Sequence, residues 1–260
     1  MTLSNHHAYD EIPDLYDFEY PECSGAELDF WSLASAQANG PVLELGVGTG
    51  RIALPLAQLG HEVWGIDTSE PMLNRAKMKA ARLPVSVSSR LHLATQSMAS
   101  FDLPSQFGLI YAPFNSFLLL DPHQEVANCL QCVQKHLQPN GRLIIDAFVP
   151  GPSDFLPDTE ELTYLEKHPQ TGARVTRRRD YTYDSINRLA VSNITYKLET
   201  HNQDPTKYEF SYNLHLASQN DLIGYLRAGA FRILNIFGDY LGRQYRQAED
   251  NLILVCRSSR

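Results

Sequence analysis

The residues best placed to do chemistry in this 260-residue chain form the segment Glu44-Leu45-Gly46-Val47-Gly48-Thr49-Gly50-Arg51. Glycines at alternate positions let a backbone approach a ligand closely. A helix starting just beyond them offers unpaired N–H groups. A dinucleotide fingerprint would need G-x-G-x-x-G, and here that third glycine position holds Arg51. Glu44, two residues before the first glycine, brings a carboxylate that can meet a positive ligand group. Asp67 ends the next apolar run, where a carboxylate can accept hydrogen bonds from both ribose hydroxyls. Taken singly, the glycines make a packing turn and Asp67 a helix-entry cap. Taken together, in order on consecutive strands, they describe a site for a nucleoside.

The elements that must carry these residues alternate. Residues 42–45 are a short apolar strand, 51–58 a helix with Pro55 in its first turn, and 62–66 a second strand. Ser69 caps a helix running to about residue 82, with Glu70 and Pro71 in its first turn. Strands follow at 90–94, 108–112 and 142–148, the last after a helix over 122–136 and the turn Pro139-Asn140-Gly141. Strand–helix alternation predicts a parallel sheet with helices on both faces. After Pro150 the rhythm changes. Runs at 162–167, 174–183, 188–200 and 208–216, separated by turn clusters, predict an antiparallel meander. A helix over 219–228 and strands at 231–237 and 252–256 close the chain.

Composition limits the function classes. Apolar residues make up 43% and charged residues 20%, which excludes a disordered tail, a collagen repeat and a coiled coil. A net charge of −8 disfavours a protein that coats nucleic acid or an anionic membrane. Neither a secretory signal nor a bilayer-length apolar run is legible, so a cytoplasmic location is expected. Four cysteines in this length make no disulfide framework. Cys129 and Cys132 fall on a helical apolar pattern with Val126, Leu130 and Val133, and read as packed helix cysteines with no metal. The basic run Arg174…Arg177-Arg178-Arg179 reads as a solvated strand face.

Four segments resemble, in order, the motifs of class I S-adenosylmethionine-dependent methyltransferases. They are Val42–Arg51, Gly65-Ile66-Asp67-Thr68-Ser69-Glu70-Pro71-Met72, Phe107–Ser116 and Leu137–Asp146. The N-terminal Tyr9-Asp10…Tyr16-Asp17 and the late antiparallel insertion are most similar to the small-molecule N- or O-methyltransferases of the glycine/sarcosine type. The resemblance implies a Rossmann-like α/β fold with a seven-stranded, mostly parallel sheet, helices on both faces and an antiparallel β insertion. It implies an N-terminal helical lid over residues 1–40, a cofactor domain over 41–150 and 218–260, and an insertion over 151–217 that shapes the acceptor site. The cofactor would be S-adenosylmethionine. Glu44, Gly46 and Gly48 would lie near its methionine part, Asp67 on its ribose, and Thr68 and Met72 beside its adenine. Ser97 and Met98 occupy the loop after the third strand, where the family often has an acid for the adenine amino group. Ala112 and Pro113 would face the cofactor through their backbones.

Methyl transfer is an in-line displacement, so the protein's main task is alignment. Strand C-terminal ends line the crevice of such a sheet. They nominate Asn115 for catalysis and Phe114, Phe148 and Tyr240 for acceptor contact, with Asp146 and Asp239 nearby. Tyr9, Tyr16 and Tyr20 could fold over the cofactor, Tyr16 as a catalytic candidate and Tyr20 as an acceptor contact. His215, leading out of the meander, is the third catalytic candidate. The expected partner is a small-molecule methyl acceptor, with no nucleic acid and no membrane, and the chain is expected to be a monomer or homodimer. The alternatives are an RNA or protein methyltransferase and an inactive cofactor-binding module. Tyr111-Ala112-Pro113-Phe114 lacks the amide or acid and the second proline of adenine-modifying enzymes, which ranks nucleic-acid substrates low.

Overall fold

The computed structural model describes residue 5 and residues 8–201, 203–246 and 251–259. Strands β1 (Val42–Leu45), β2 (Val63–Asp67), β3 (Leu91–Thr95), β4 (Phe107–Ala112), β5 (Leu137–Phe148), β10 (Phe231–Phe237) and β11 (Asn251–Ser258) form one sheet in the order β10-β11-β5-β4-β1-β2-β3. The pairings β1–β2, β1–β4, β2–β3 and β4–β5 are parallel, while β11 runs antiparallel to both β5 and β10. Most residues of the central strands are apolar because helices cover both faces. Leu43, Leu45, Leu143 and Ile145 pack with α6 (Val126–His136) and α7 (Gln219–Ala228). Val42 and Ile144 enter the opposite core with α2 (Gly25–Ala36) and α3 (Ala53–Gln58). Successive residues thus serve opposite layers, as the two-residue strand period demands.

The second sheet is the meander β6 (Asp158–Lys167), β7 (Arg174–Asp184), β8 (Leu189–Glu199) and β9 (Thr206–His215), antiparallel and in chain order. One face packs on α1 (Pro13–Glu19), joining Ile12 and Leu15 to Val175, Ile194 and Tyr196. α4 (Glu70–Ala80) holds α1 from the side through Arg75–Asp14 at 2.5 Å, Arg75–Asp17 at 2.7 Å and Lys79–Asp17 at 2.8 Å.

Several element boundaries differ from the sequence expectation. The helix expected from residue 122 begins at Val126, because the N–H groups of Glu125 and Val126 turn back onto the Asp121 carbonyl. β5 starts at Leu137, five residues early, and carries the Pro139–Gly141 turn as an irregularity with Asn140 at φ 66°. The helix expected from Arg51 begins at Ala53. Cys129 is buried in the core, and Cys132 is partly buried beside it. No helix among the described residues is long and apolar enough to cross a membrane.

Candidate active site

The floor of the site is the pair of bends that follow β1 and β2. Gly46 and Gly48 adopt φ of +75° and +53°, in the left-handed region that disfavours a side chain. A Cβ on Gly46 would stand 3.0 Å from that of Ser116, so this glycine also permits a close approach. The Asp67 carboxylate receives the Gly48 N–H on Oδ2 at 2.8 Å and the Ser69 N–H on Oδ1 at 2.9 Å. Ser69 then accepts the Met72 N–H, capping α4, and donates its hydroxyl to Asp10 at 2.5 Å. Burial raises the Asp67 carboxyl above its ordinary value, while N–H groups of Ser69, Gly48 and Thr68 pull it back. Glu44 is 2% exposed. Its Oε2 accepts the Tyr111 hydroxyl at 3.0 Å, and burial pushes its carboxyl up to about 8.

The roof comes from α1 and the meander. Tyr9, Tyr16 and Tyr20 make a chain of ring contacts, with centroids 5.9 Å and 5.0 Å apart, that ends on Phe114 at 5.2 Å. Tyr9 also stacks on Tyr212 at 5.8 Å. Beside Tyr20, Glu19 pairs with Arg177 at 3.1 Å and accepts the Tyr196 hydroxyl. Arg51 is clamped by both oxygens of Glu27, at 2.9 and 2.5 Å, with its guanidinium 4.7 Å over the Phe114 ring. Floor and roof enclose a cavity of about 260 Å³.

Twelve of the residues nominated from the sequence line this cavity: Tyr16, Tyr20, Glu44, Gly46, Gly48, Asp67, Thr68, Met72, Ser97, Met98, Phe114 and Asn115. Ala112, Asp146, Phe148, His215, Asp239 and Tyr240 do not. Ala112 is fully buried in the sheet, whereas Pro113, expected beside it, lines the cavity. Phe148 sits at the end of β5, its N–H bonded to the Asn115 amide oxygen at 2.7 Å. Tyr240 lies beneath the floor, donating to Asp146 at 2.7 Å and packed on Phe30 and Trp31. His215 opens into a separate cavity with Phe117, His123 and Tyr225, because Leu214, one residue earlier, takes the inward face of β9. Asp239 is paired with Arg243, outside the cavity.

Two of the catalytic nominations have their chemistry narrowed. Asn115 stands at φ +65°, and its side-chain oxygen is engaged by the Phe148 N–H, so it braces the loop, leaving its NH₂ and one oxygen lone pair for a ligand. Burial raises the Tyr16 hydroxyl well above its ordinary range, the Arg51 charge opposing, so it stays protonated at neutral pH and donates. Sequence reasoning missed Glu19, Tyr196, Phe210 and Tyr212, and it placed Arg177 on a solvated face. Arg177 is in fact 8% exposed. The available signal was the two-residue alternation within β7, β8 and β9, which puts Arg177 opposite Tyr196 and Ile194 opposite Phe210 on one face.

The donor set suits an adenosyl sulfonium. The Asp67 carboxylate, with about four lone-pair sites, accepts the backbone N–H groups of Gly48, Ser69 and Thr68 and retains acceptor capacity for a ribose hydroxyl. Met72 and Met98 supply polarizable apolar contact for a base. The buried Ser116 hydroxyl, against Gly46, has no hydrogen-bond partner among the described residues, a deficit that a polar ligand atom would fill.

Comparison with known proteins agrees with this geometry. Residues 42–141 match the family model described as a methyltransferase domain. YqeM of Bacillus subtilis (strain 168), which carries a provisional methyltransferase name, is 33% identical over 145 residues, 52% of this chain and 56% of that protein. The chain thus spans about half the length of that curated relative, and 34% of a Geobacillus one. Among solved structures, the CcbJ methyltransferase from Streptomyces caelestis superposes with TM-score 0.73 at 24% identity, covering 91% of this chain and 97% of that one. The S-adenosylmethionine-bound amino pentose methyltransferase CalS10 from Micromonospora echinaspora gives TM-score 0.66 at 20% identity, covering 88% and 87%. These two structures share the fold.

Proposed function

We propose that this chain, whose residues 42–141 match a methyltransferase domain within a Rossmann-like class I methyltransferase fold, moves a methyl group from S-adenosylmethionine to an N or O nucleophile of a small molecule. The carrying observation is the Asp67 carboxylate, fixed by the Gly48 and Ser69 N–H groups and aimed into a cavity roofed by α1 and the meander. When bound, S-adenosylmethionine supplies a methyl carbon made electrophilic by a sulfonium.

Each residue then has a defined task. Asp67 holds the ribose diol, while Met72, Thr68, Ser97 and Met98 surround the base. Glu44, kept in place by Tyr111, presents a carboxyl to the positively charged end of the cofactor. Arg51, oriented by Glu27 and Phe114, offers a guanidinium for its carboxylate. Tyr16 and Tyr20 close over the reacting centre, exclude water and hold the acceptor in line. A small acceptor is favoured because the roof comes down on the floor through Tyr20 and Phe114 and the space between them is about 260 Å³. CalS10, named for an amino pentose, agrees with an acceptor of that size.

The test is incubation with isotope-labelled S-adenosylmethionine and a panel of amines, alcohols, phenols and carboxylates, read by mass spectrometry. Labelled product with at least one amine, alcohol or phenol supports the proposal. Cofactor binding without turnover on any member would favour the inactive-module reading instead.

A further inference from the structure

The roof half of the cavity presents a chemistry that the cofactor does not use. We infer that it recognises the ammonium form of an acceptor amine carried on an apolar, ring-sized body, a binding form that must release one proton to solvent to free its lone pair before methyl transfer. This inference rests on the methyltransferase reading for the word acceptor, and on the roof geometry for the rest.

Charge is the first ground. Arg177 bridges two carboxylates, Glu19 at 3.1 Å and Glu160 at 3.0 Å. Arg179 in turn lies 3.8 Å from Glu160 and 3.5 Å from Asp158, so the linked group of three carboxylates and two guanidiniums carries one net negative charge, and its Glu19–Arg177 side faces the cavity. Asp67 and Glu125 line the same space, and the other guanidinium on the wall, Arg51, is engaged bidentately by Glu27. A cation entering the roof is stabilised by this field, and an anion is opposed. Because Glu19 and Arg177 are both buried, water screens the effect poorly.

Ring geometry is the second ground. Tyr196 and Phe210 lie near-parallel at 6.2 Å, Phe210 and Tyr212 at 6.3 Å, and Tyr9 continues the series on Tyr212. Tyr20 faces them from α1, at the cavity wall. Aromatic faces attract cations and repel anions through the ring quadrupole. The same rings, with Ile194 and Leu214, give an apolar body a surface to pack on. An alcohol or phenol of the same shape gains the packing but not the charge term, and a carboxylate meets both the acids and the ring faces unfavourably.

The experiment uses the full chain saturated with S-adenosylhomocysteine and titrated with cyclohexylamine (protonated at pH 7.5), cyclohexanol and cyclohexanecarboxylate, followed by protein-observed NMR. The expected result is amine binding at least tenfold tighter than either isostere. Glu19→Gln should reduce that preference by about tenfold and leave cyclohexanol unchanged. Should Glu19→Gln fail to fold, Tyr212→Leu should cut the preference severalfold through loss of one ring face. Equal binding of the three probes, tightest binding of the carboxylate, undetectable amine binding, or a preference unchanged in a folded variant would each overturn the inference. The saturation step separates the two claims. An amine preference without S-adenosylhomocysteine binding would sink the methyltransferase reading while leaving the ammonium site standing.

Discussion

The Asp67 carboxylate holds the Gly48 N–H at 2.8 Å, so the acid that ends β2 fixes the loop that ends β1. One side chain therefore shapes the floor and lines the cavity. Asp67→Ala should weaken S-adenosylhomocysteine binding by about 1.5–3 kcal/mol, roughly ten- to 150-fold, as charged hydrogen bonds are lost. Calorimetry checks it, and an unchanged dissociation constant would remove Asp67 from the site.

Gly46→Ala tests the close approach. The left-handed backbone costs about 1–2 kcal/mol with a side chain, and the new methyl would press on Ser116. Lower thermal stability and at least tenfold weaker cofactor binding are expected. Wild-type values for both would show that the loop does not need its glycine.

Glu44 sets a pH dependence. Its folded carboxyl is pushed up to about 8 from an ordinary value of 4.5, chiefly by burial. The folded protein keeps a proton that the unfolded chain gives up. The contribution is therefore fully present below the unfolded value and is lost as pH rises through the folded one. Across that window it falls by at most ~1.4 kcal/mol per pH unit. Urea unfolding between pH 5 and 9 should show Glu44→Gln flattening this slope, and an identical slope in both proteins would contradict it.

The roof helix α1 is tied to α4 by charge, through Asp14 and Asp17 on one and Arg75 and Lys79 on the other. Burial works against the Asp17 carboxylate, but hydrogen bonds from Arg75 and Lys79 hold it below its usual range. Arg75→Ala should loosen the roof by about 1–2 kcal/mol, between the values for exposed and buried pairs. In stopped-flow displacement this reads as roughly tenfold faster S-adenosylhomocysteine release, which 0.5 M salt should partly reproduce in the wild type. A release rate indifferent to both changes would mean that α1 does not gate the cavity.

The floor was legible in the sequence because its signals are local. Gly46, Gly48 and Asp67 sit at the ends of short apolar runs whose pattern fixes where a strand must stop. The roof was not, because Arg177, Tyr196, Phe210 and Tyr212 meet only through the meander's register. Alternation in a strand shows that two faces exist but not which one turns inward. A one-residue error of that kind misplaced His215, whose neighbour Leu214 lines the cavity. Tyr240 was misjudged differently. Its position after β10 suggested the crevice, but its hydroxyl satisfies the buried Asp146 from below. The long reach from Glu19 on α1 to Arg177 on β7 carries no sequence signature.

A crystal structure of the chain grown with S-adenosylhomocysteine tests the central claim most directly. The account predicts adenosyl density between the two bends, with both ribose hydroxyls on the Asp67 carboxylate and the sulfur facing Tyr16 and Tyr20. Density lodged elsewhere, or a cavity without the ligand at saturating concentration, would contradict it.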